Sequence, residues 1–269
     1  MNQQTNLFFL AKACLDACEP DDKLALTRAA AEQWRHGRLS LASDTAVKPI
    51  GEPGRPATPK LVAPRDLPIR KLGSDQGRAA FIHSLAHIEF NAINLAWDAV
   101  YRFREMPPEF YRNWVRVADE EAYHFGLLRD RLRTLGHDYG DYAAHNGLWE
   151  MAQKTAFDPL VRMALVPRVL EARGLDVTPG MMQRLHDIGD EESADVLAII
   201  LRDEIGHVEI GTRWFRYLCE QRGLDPDKTY QLLLEKYLEG NIRPPFNDAA
   251  RRQAGFSDAE LAYIHQLVS

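Results

Sequence analysis

Four long stretches of the sequence repeat apolar residues at the spacing of one helix face, and this repetition constrains the fold more than any other feature. They cover about residues 74–103, 109–135, 159–173 and 179–221. Two follow one another closely, and a longer connection separates them from the other two. Ser74 or Asp75 is expected to cap the first stretch and Asp158 the third, and a break is expected at Gly189 in the fourth. Since no segment shows the alternation typical of a strand, the pattern predicts an all-α fold containing a four-helix bundle with a crossover connection.

Shorter elements are predicted on both sides of the bundle. Residues 5–36 are expected to form two short helices, and residues 40–73 contain six prolines and no helical period, which predicts an extended arm. A fifth helix is expected over 227–240, and Ser257 with Glu260 has the spacing of a capping box that begins a last one. The apolar residues expected to anchor the arm are Leu61, Val62, Leu67 and Ile69.

These elements predict three domains. Residues 1–73 would form N-terminal helices and an arm packed on the bundle, 74–222 the bundle itself, and 223–269 a C-terminal helical extension. Within the bundle, the segment from Gly174 to Gly180 is expected to interrupt the helical pattern, because glycine and proline favour breaks.

The composition excludes several classes of protein. The chain has 269 residues, of which 45% are hydrophobic and 27% charged, so it can bury a core without disulfides. Its apolar runs fall short of the ~18 residues of a membrane span, and the N-terminus lacks the basic region of a secretory signal. The expected location is therefore cytoplasmic. A formal net charge of −6 disfavours a broadly basic surface for nucleic acid.

The three cysteines fit a reducing compartment and are too few for a four-thiolate metal site. Cys14 and Cys18 are four residues apart, so they share a face if that segment is helical. Both are expected to be small core residues.

Each long helical stretch carries at least one carboxylate inside its apolar stripe. A buried carboxylate without a partner is costly, and converging carboxylates raise one another's pKa. Two divalent cations would balance four ionised glutamates if both imidazoles are neutral. The polar residues in the stripes therefore predict a dinuclear metal centre, and they are Glu89, Glu121, His124, Glu171, Glu204 and His207.

The spacing of these residues strengthens this prediction. Glu121 with His124 and Glu204 with His207 are the two E-x-x-H matches in the chain, and positions i and i+3 share one helix face. Glu89 precedes Glu121 by 32 residues, and Glu171 precedes Glu204 by 33. A single E-x-x-H motif more often corresponds to a solvated Glu–His pair or to a histidine of the core than to a metal site. Two in matching positions favour a bundle built from two similar helical hairpins around one centre.

One glutamate and one E-x-x-H from each half resembles the ligand pattern of ferritin-like di-iron carboxylate proteins. The stretches SLAHIEFNAINLAWDAVYRF, DEEAYHFGLL, LEARGLDVTPGM, RDEIGHVEIG and GRPATPKLVAPRDLP resemble the uncharacterised ferritin-like family catalogued as domain of unknown function number 455. Around LEARGLD and RDEIGH the chain is also similar to the bacterial tRNA hydroxylase family that acts on methylthio-isopentenyl adenosine. By this resemblance, the six residues listed for the dinuclear centre are expected to be its metal ligands.

The resemblance also implies acids that orient the metal-bound histidines. Asp203 stands immediately before the second E-x-x-H glutamate, where related di-iron oxygenases place an acid that bonds the histidine of the opposite helix. It is therefore expected to orient His124. Glu120 is the equivalent residue of the other half and would orient His207 in the same way. The alternative is that Glu120 is a solvated surface acid without this role. His87 is expected to lie in the core rather than on the metal face.

Carboxylate and imidazole ligands favour two iron ions, with a manganese–iron pair or manganese as alternatives. The resemblance implies O2 or peroxide chemistry, with hydroxylation of an unknown small molecule or modified nucleoside as the leading reaction. An external electron donor is expected, because the sequence shows no flavin or nucleotide fingerprint and has too few cysteines for a four-thiolate iron site. No membrane partner is expected, and a homodimer stays open. The alternative is iron storage or detoxification without an organic substrate. A peroxidase-like activity and a scaffold with a vestigial site also stay open.

Overall fold

Helices account for 70% of the chain in the computed structural model, which describes residues 5–42, 45–68, 70–238 and 242–268. The strands in these residues are a parallel pair of two residues each, β1 (Thr5–Asn6) and β2 (Leu39–Ser40). The all-α prediction is confirmed. None of the described helices combines the length and apolar character needed to cross a bilayer.

Packing divides the chain into two compact units, Met1–Glu150 and Met151–Ser269. This division lies inside the long connection between the second and third predicted bundle helices. The boundaries of the three predicted domains differ from this division, and the three domains stay a prediction.

The first unit is built on two long helices preceded by two shorter ones. Ser74 Oγ accepts a hydrogen bond from Gly77 N at 3.1 Å and starts the third helix, and Pro108 occupies the first turn of the fourth. The two long helices make the most extensive helix contact in the unit, which buries their apolar stripes against each other. The helices are α1 (Leu7–Asp16), α2 (Pro20–Arg35), α3 (Asp75–Arg102) and α4 (Pro108–Thr134), and α5 (Gly147–Lys154) follows.

The proline-rich arm is extended, apart from a 3₁₀ turn at Pro64–Asp66. It is held mainly through its backbone. Val62 N donates to Ala144 O at 2.8 Å, and Trp149 Nε1 donates to Gly51 O at 2.7 Å. Three of the four predicted apolar anchors, Leu61, Val62 and Leu67, are only half-buried, and Ile69 lies outside the described residues. Hydrogen bonds, the buried Trp149 ring and the buried side chain of Ile50, which was not among the predicted anchors, therefore hold the arm.

The second unit is a longer series of helices. Asp158 Oδ1 accepts a hydrogen bond from Leu160 N at 2.8 Å and begins the first of them, as predicted. The predicted capping box of Ser257 and Glu260 is also present. The end of the predicted fifth helix at 239–240 lies outside the described residues. The elements are α6 (Pro159–Leu165), a π-helical segment (Val166–Glu171), α7 (Ala172–His186), α8 (Glu191–Gln221), α9 (Pro226–Leu238), α10 (Asp248–Gln253) and α11 (Asp258–Gln266).

The predicted interruption between Gly174 and Gly180 is wrong, because α7 runs through Gly174, Pro179 and Gly180. Proline inside a helix removes one backbone hydrogen bond, and glycine lowers helix propensity. Extensive packing of α7 against α8, which buries Leu175 and Leu185 completely, outweighs these local costs. The break at Gly189, which has a φ of +74°, is confirmed.

Gly211 of α8 lies directly against Pro167 of the π-helical segment. A Cβ on Gly211 would overlap the Cβ and Cγ of Pro167. We expect Gly211→Ala to lower the free energy of unfolding by about 1–3 kcal/mol through overpacking, as measured by urea denaturation. The matched control is Gly180→Ala in α7, where a Cβ would meet open space. It is expected to raise stability by about 0.5–1 kcal/mol. Equal stability of Gly211→Ala and the parent would show that this contact is not tight.

Candidate metal centre

Three of the predicted ligands lie together in the core of the first unit. Glu89 comes from α3, and Glu121 and His124 come from successive turns of α4. Their exposed fractions are 6%, 0% and 0%. His124 Nδ1 lies 3.5 Å from Glu89 Oε2 and 3.4 Å from Glu121 Oε2. One ligand atom from each residue lies within 4.8 Å of the others.

These distances suit atoms that bind one metal ion. Ligands about 2.0–2.2 Å from a metal, at bond angles near 90–109°, are about 3–3.5 Å apart. An ordinary N–H···O hydrogen bond is shorter, at about 2.9 Å. This buried cluster of glutamates and histidine could therefore hold a metal ion.

Two buried carboxylates beside one imidazole also shift the pKa values of the cluster. Burial, and then the charge of Glu121, raise the pKa of Glu89 well above its usual range. Burial alone would lower the pKa of His124, but Glu121 and Glu89 outweigh it and raise the pKa to about 11. Without a cation, protons therefore neutralise the cluster, and a bound cation would displace them.

The second unit repeats the histidine–glutamate geometry. His207 Nδ1 lies 3.3 Å from Glu204 Oε1 on α8, compared with 3.4 Å for the pair on α4. His207 is fully buried and the Glu204 side chain is 12% exposed. Glu171 ends the π-helical segment and is half-buried. Each unit thus supplies one glutamate and one E-x-x-H pair. The convergence of all six side chains on one centre stays a prediction.

The two acids expected behind the ligands have arginine partners on their own helices. Asp203 Oδ1 accepts a hydrogen bond from Arg202 Nε at 2.8 Å, and the Asp203 side chain is 21% exposed. Glu120 Oε1 lies 3.6 Å from Arg116 Nε, and its side chain is 36% exposed. Partial exposure of Glu120 favours the solvated-acid alternative. The predicted role of Asp203 in orienting His124 stays a prediction.

His87 is a core residue, as the sequence predicts. Its Nδ1 accepts a hydrogen bond from Tyr139 Oη at 2.8 Å, and its Nε2 donates to His145 O at 3.1 Å. His83 Nε2 accepts a hydrogen bond from Gly140 N at 2.9 Å. Burial lowers the pKa of both histidines to about 4, so both are neutral near pH 7. Through these hydrogen bonds, they hold the 139–145 connection against α3.

The cysteine prediction is half right. Cys14 lies in the core, but Cys18 is exposed because α1 ends at Asp16, before it. The shared helix face that the prediction required is therefore absent.

A model of the family described as "Protein of unknown function (DUF455)" matches residues 16–262. The chain belongs to this family. The match includes all eight residues predicted for the metal centre and its supporting acids, and it confirms the resemblance to the DUF455 family seen in the sequence. A protein of Haemophilus influenzae (strain ATCC 51907 / DSM 11121 / KW20 / Rd), described as an uncharacterized protein, is 50% identical over 219 residues. This alignment covers 79% of this chain and 76% of that protein. No solved structure matches the chain.

Proposed function

We propose that this DUF455-family protein is a dinuclear-iron oxidoreductase that activates O2 or peroxide. The observation that carries the proposal is the buried cluster of Glu89, Glu121 and His124, in which one ligand atom from each residue lies within 4.8 Å of the others. The histidine–glutamate distance of 3.4 Å in this cluster recurs as 3.3 Å on α8. The same local arrangement in both units matches the duplicated sequence pattern. The proposed ligands are Glu89, Glu121, His124, Glu171, Glu204 and His207.

The donor set fits two divalent ions of the iron or manganese type. Four carboxylates balance the charge of two such ions, and imidazole nitrogens complete a set without thiolates. Two irons are the leading pair, and manganese–iron or manganese are the alternatives. A bound iron pair supplies two-electron redox chemistry toward O2 or peroxide.

The surrounding side chains position the ligands and exclude water. Phe90 and Phe125 directly follow Glu89 and His124 in sequence, and their rings lie 5.5 Å apart between α3 and α4. Both are at most 1% exposed, so they fix the separation of the two helices. In the metal-free state, His124 holds a proton that it would lose to solvent when the metal binds. A dry, rigid site of this kind favours oxidation of a bound substrate over uncontrolled release of oxidant.

The leading reaction is hydroxylation of an organic substrate, either a small molecule or a modified nucleoside. The two electrons that reduce the second oxygen atom of O2 come from an external donor. We further propose a cytoplasmic protein without a membrane partner. Its net charge of −6 disfavours bulk nucleic acid as a partner, and a homodimer is one assembly consistent with the proposal.

Reaction with O2 tests the function directly. Reduced, iron-loaded protein is expected to hold two Fe(II) ions per chain and to oxidise them when mixed with O2 in a stopped-flow spectrometer. Asp203→Asn is expected to retain both ions and lose about 10–100-fold in metal affinity or rate, because it weakens one orienting hydrogen bond. Glu204→Ala is expected to lose more, because it removes a ligand and changes the charge balance.

The matched control is Glu209→Gln, which alters an exposed acid of the same helix that pairs with Arg213. It is expected to react like the parent. An inactive Asp203→Asn beside a fully active Glu204→Ala would contradict the assigned roles. If the parent binds iron but never reacts with O2 or peroxide, the oxidoreductase proposal fails. Iron-filled particles of cage size would instead favour storage.

A further inference from the structure

A pocket of about 200 Å³ lies within the second unit and is lined in part by the π-helical segment Val166–Glu171. Its polar lining is dominated by arginine, with one carboxylate. The polar residues around it are Arg168, Arg173, Asp176, Arg243 and Arg251. Aliphatic and aromatic side chains form the remaining wall and include Val169, Leu170, Tyr230, Phe246 and Ile264.

Two of the four arginines are neutralised by carboxylates. Arg251 donates to both oxygens of Asp176, at 2.9 Å from Nε and 2.7 Å from Nη2. Arg168 Nη2 lies 2.6 Å from Glu260 Oε1. Arg173 Nη1 also lies 3.8 Å from Asp176 Oδ2, so Arg251 and Arg173 share one carboxylate. Four guanidinium groups against two carboxylates leave the pocket with a surplus of positive charge. That surplus favours an anionic ligand.

Arg173 and Arg243 still have donors to offer such a ligand. The Arg173 guanidinium donates to the carbonyls of Arg243, Pro245 and Pro244 at 2.7, 2.9 and 3.3 Å. A guanidinium has five N–H groups, so two remain after these three bonds. The same bonds fix the backbone that carries Arg243 at the pocket.

A buried donor provides a second, independent observation. Arg168 is fully buried and lines the pocket. Its Nη1 has no hydrogen-bond partner among the residues that the structure describes. Leaving a buried charged donor unsatisfied costs free energy, and an anion or an ordered water in the pocket would remove that cost.

The size of the pocket suits a ligand of about one ring. An apolar cavity of about 150 Å³ accommodates benzene, so about 200 Å³ leaves room for a ring with a small charged group. We propose that this pocket binds a monocyclic aromatic carboxylate. Its ring packs against Phe246 and Ile264. Its carboxylate accepts hydrogen bonds from Arg173, Arg243 and the open Nη1 of Arg168. The proposal does not depend on the metal centre.

Calorimetric titration of the full-length, metal-free protein tests this site, because carboxylates cannot then bind through a metal. Benzoate is expected to bind saturably with one site per chain. Benzyl alcohol keeps the ring without the charge, and inorganic phosphate keeps a charge without the ring. Both are expected to bind at least about tenfold more weakly, since each loses one of the two interactions.

The variant Arg243→Gln tests whether benzoate binds at this pocket. Arg243 is exposed, so the variant is expected to keep the parent's Tm while weakening benzoate binding by about tenfold. Arg216→Gln, which changes an exposed arginine of α8 outside the pocket, is the matched control and is expected to bind like the parent. Benzoate binding that is absent, no tighter than that of benzyl alcohol or phosphate, or unchanged in Arg243→Gln would overturn the proposal.

Discussion

Adding Fe(II) or Mn(II) to the metal-free protein is expected to raise its Tm by about 5–10 °C. At a free metal concentration of about 100 times Kd, binding to the folded state alone stabilises it by about 2.7 kcal/mol. For a protein of this size, each kcal/mol corresponds to about 2–4 °C. Differential scanning calorimetry with and without the metal, under anaerobic conditions for iron, measures the shift.

The shift is expected to grow with pH. The pKa of His124 is raised from its usual 6.5 to about 11, and that of Glu89 is also raised, so the metal-free fold binds more protons than the unfolded chain. Stability from these protons is lost as pH rises toward the folded-state pKa values. Metal binding releases these protons, so the metal-bound state becomes more stable relative to the metal-free fold as pH rises. The shift at about pH 7.5 is therefore expected to exceed that at about pH 5.5.

A ligand variant and a matched control make this result specific. Glu121→Ala is expected to lose most of the metal-induced shift, because it removes a fully buried carboxylate proposed as a ligand. Glu109→Gln, on the same helix, alters a half-exposed acid paired with Arg112 and is expected to keep the whole shift. A parent protein whose Tm does not respond to either metal would show that the cluster is not a working metal site.

Features set by a few neighbouring residues could be predicted from the sequence. Ser74, Asp158 and Ser257 start helices as expected, because an N-cap needs only a side chain and a backbone N–H two or three residues away. The close approach of histidine and glutamate in each E-x-x-H pair has the same origin. Residues i and i+3 of one helix are neighbours whatever surrounds that helix.

Features that depend on distant partners could not be predicted in this way. Lys23 is fully buried in α2, and its Nζ donates at 2.7 Å both to Cys14 O and to Asn94 Oδ1 on α3. Nothing near Lys23 in sequence indicates that acceptor 71 residues away. The continuity of α7 through Pro179 has a similar cause, since tertiary packing overrides a local helix breaker. The π-helical segment before α7 likewise has no local signature beyond Pro167.

Glu260→Gln is expected to lower the free energy of unfolding by about 3–5 kcal/mol, because it leaves a buried guanidinium without its counter-ion. Arg168 and Glu260 are both fully buried. The guanidinium carbon of Arg168 lies 4.1 Å from the centroid of the Tyr230 ring and 4.5 Å from that of Phe256. Arginine cannot lose its proton to avoid the cost, so the charge stays in a poorly solvated core.

The glutamine substitution isolates the charge from the other role of Glu260. Glu260 Oε2 also accepts a hydrogen bond from Ser257 N at 2.9 Å in the capping box. An amide oxygen can still accept that bond, so the start of α11 is expected to persist. Urea denaturation followed by circular dichroism gives the loss of stability, and an unchanged m-value would show that the unfolding transition remains comparable.

Glu209→Gln is the matched control for burial. It removes the same charge from an ion pair of 2.7 Å with Arg213, but both side chains are more than 40% exposed. Water solvates the remaining arginine there, so the expected loss is below about 1 kcal/mol. If Glu260→Gln costs no more than Glu209→Gln, the aromatic rings alone compensate the charge of Arg168. A large difference between the two would instead assign the stabilisation to the buried ion pair, since size, charge change and amide chemistry are the same in both variants.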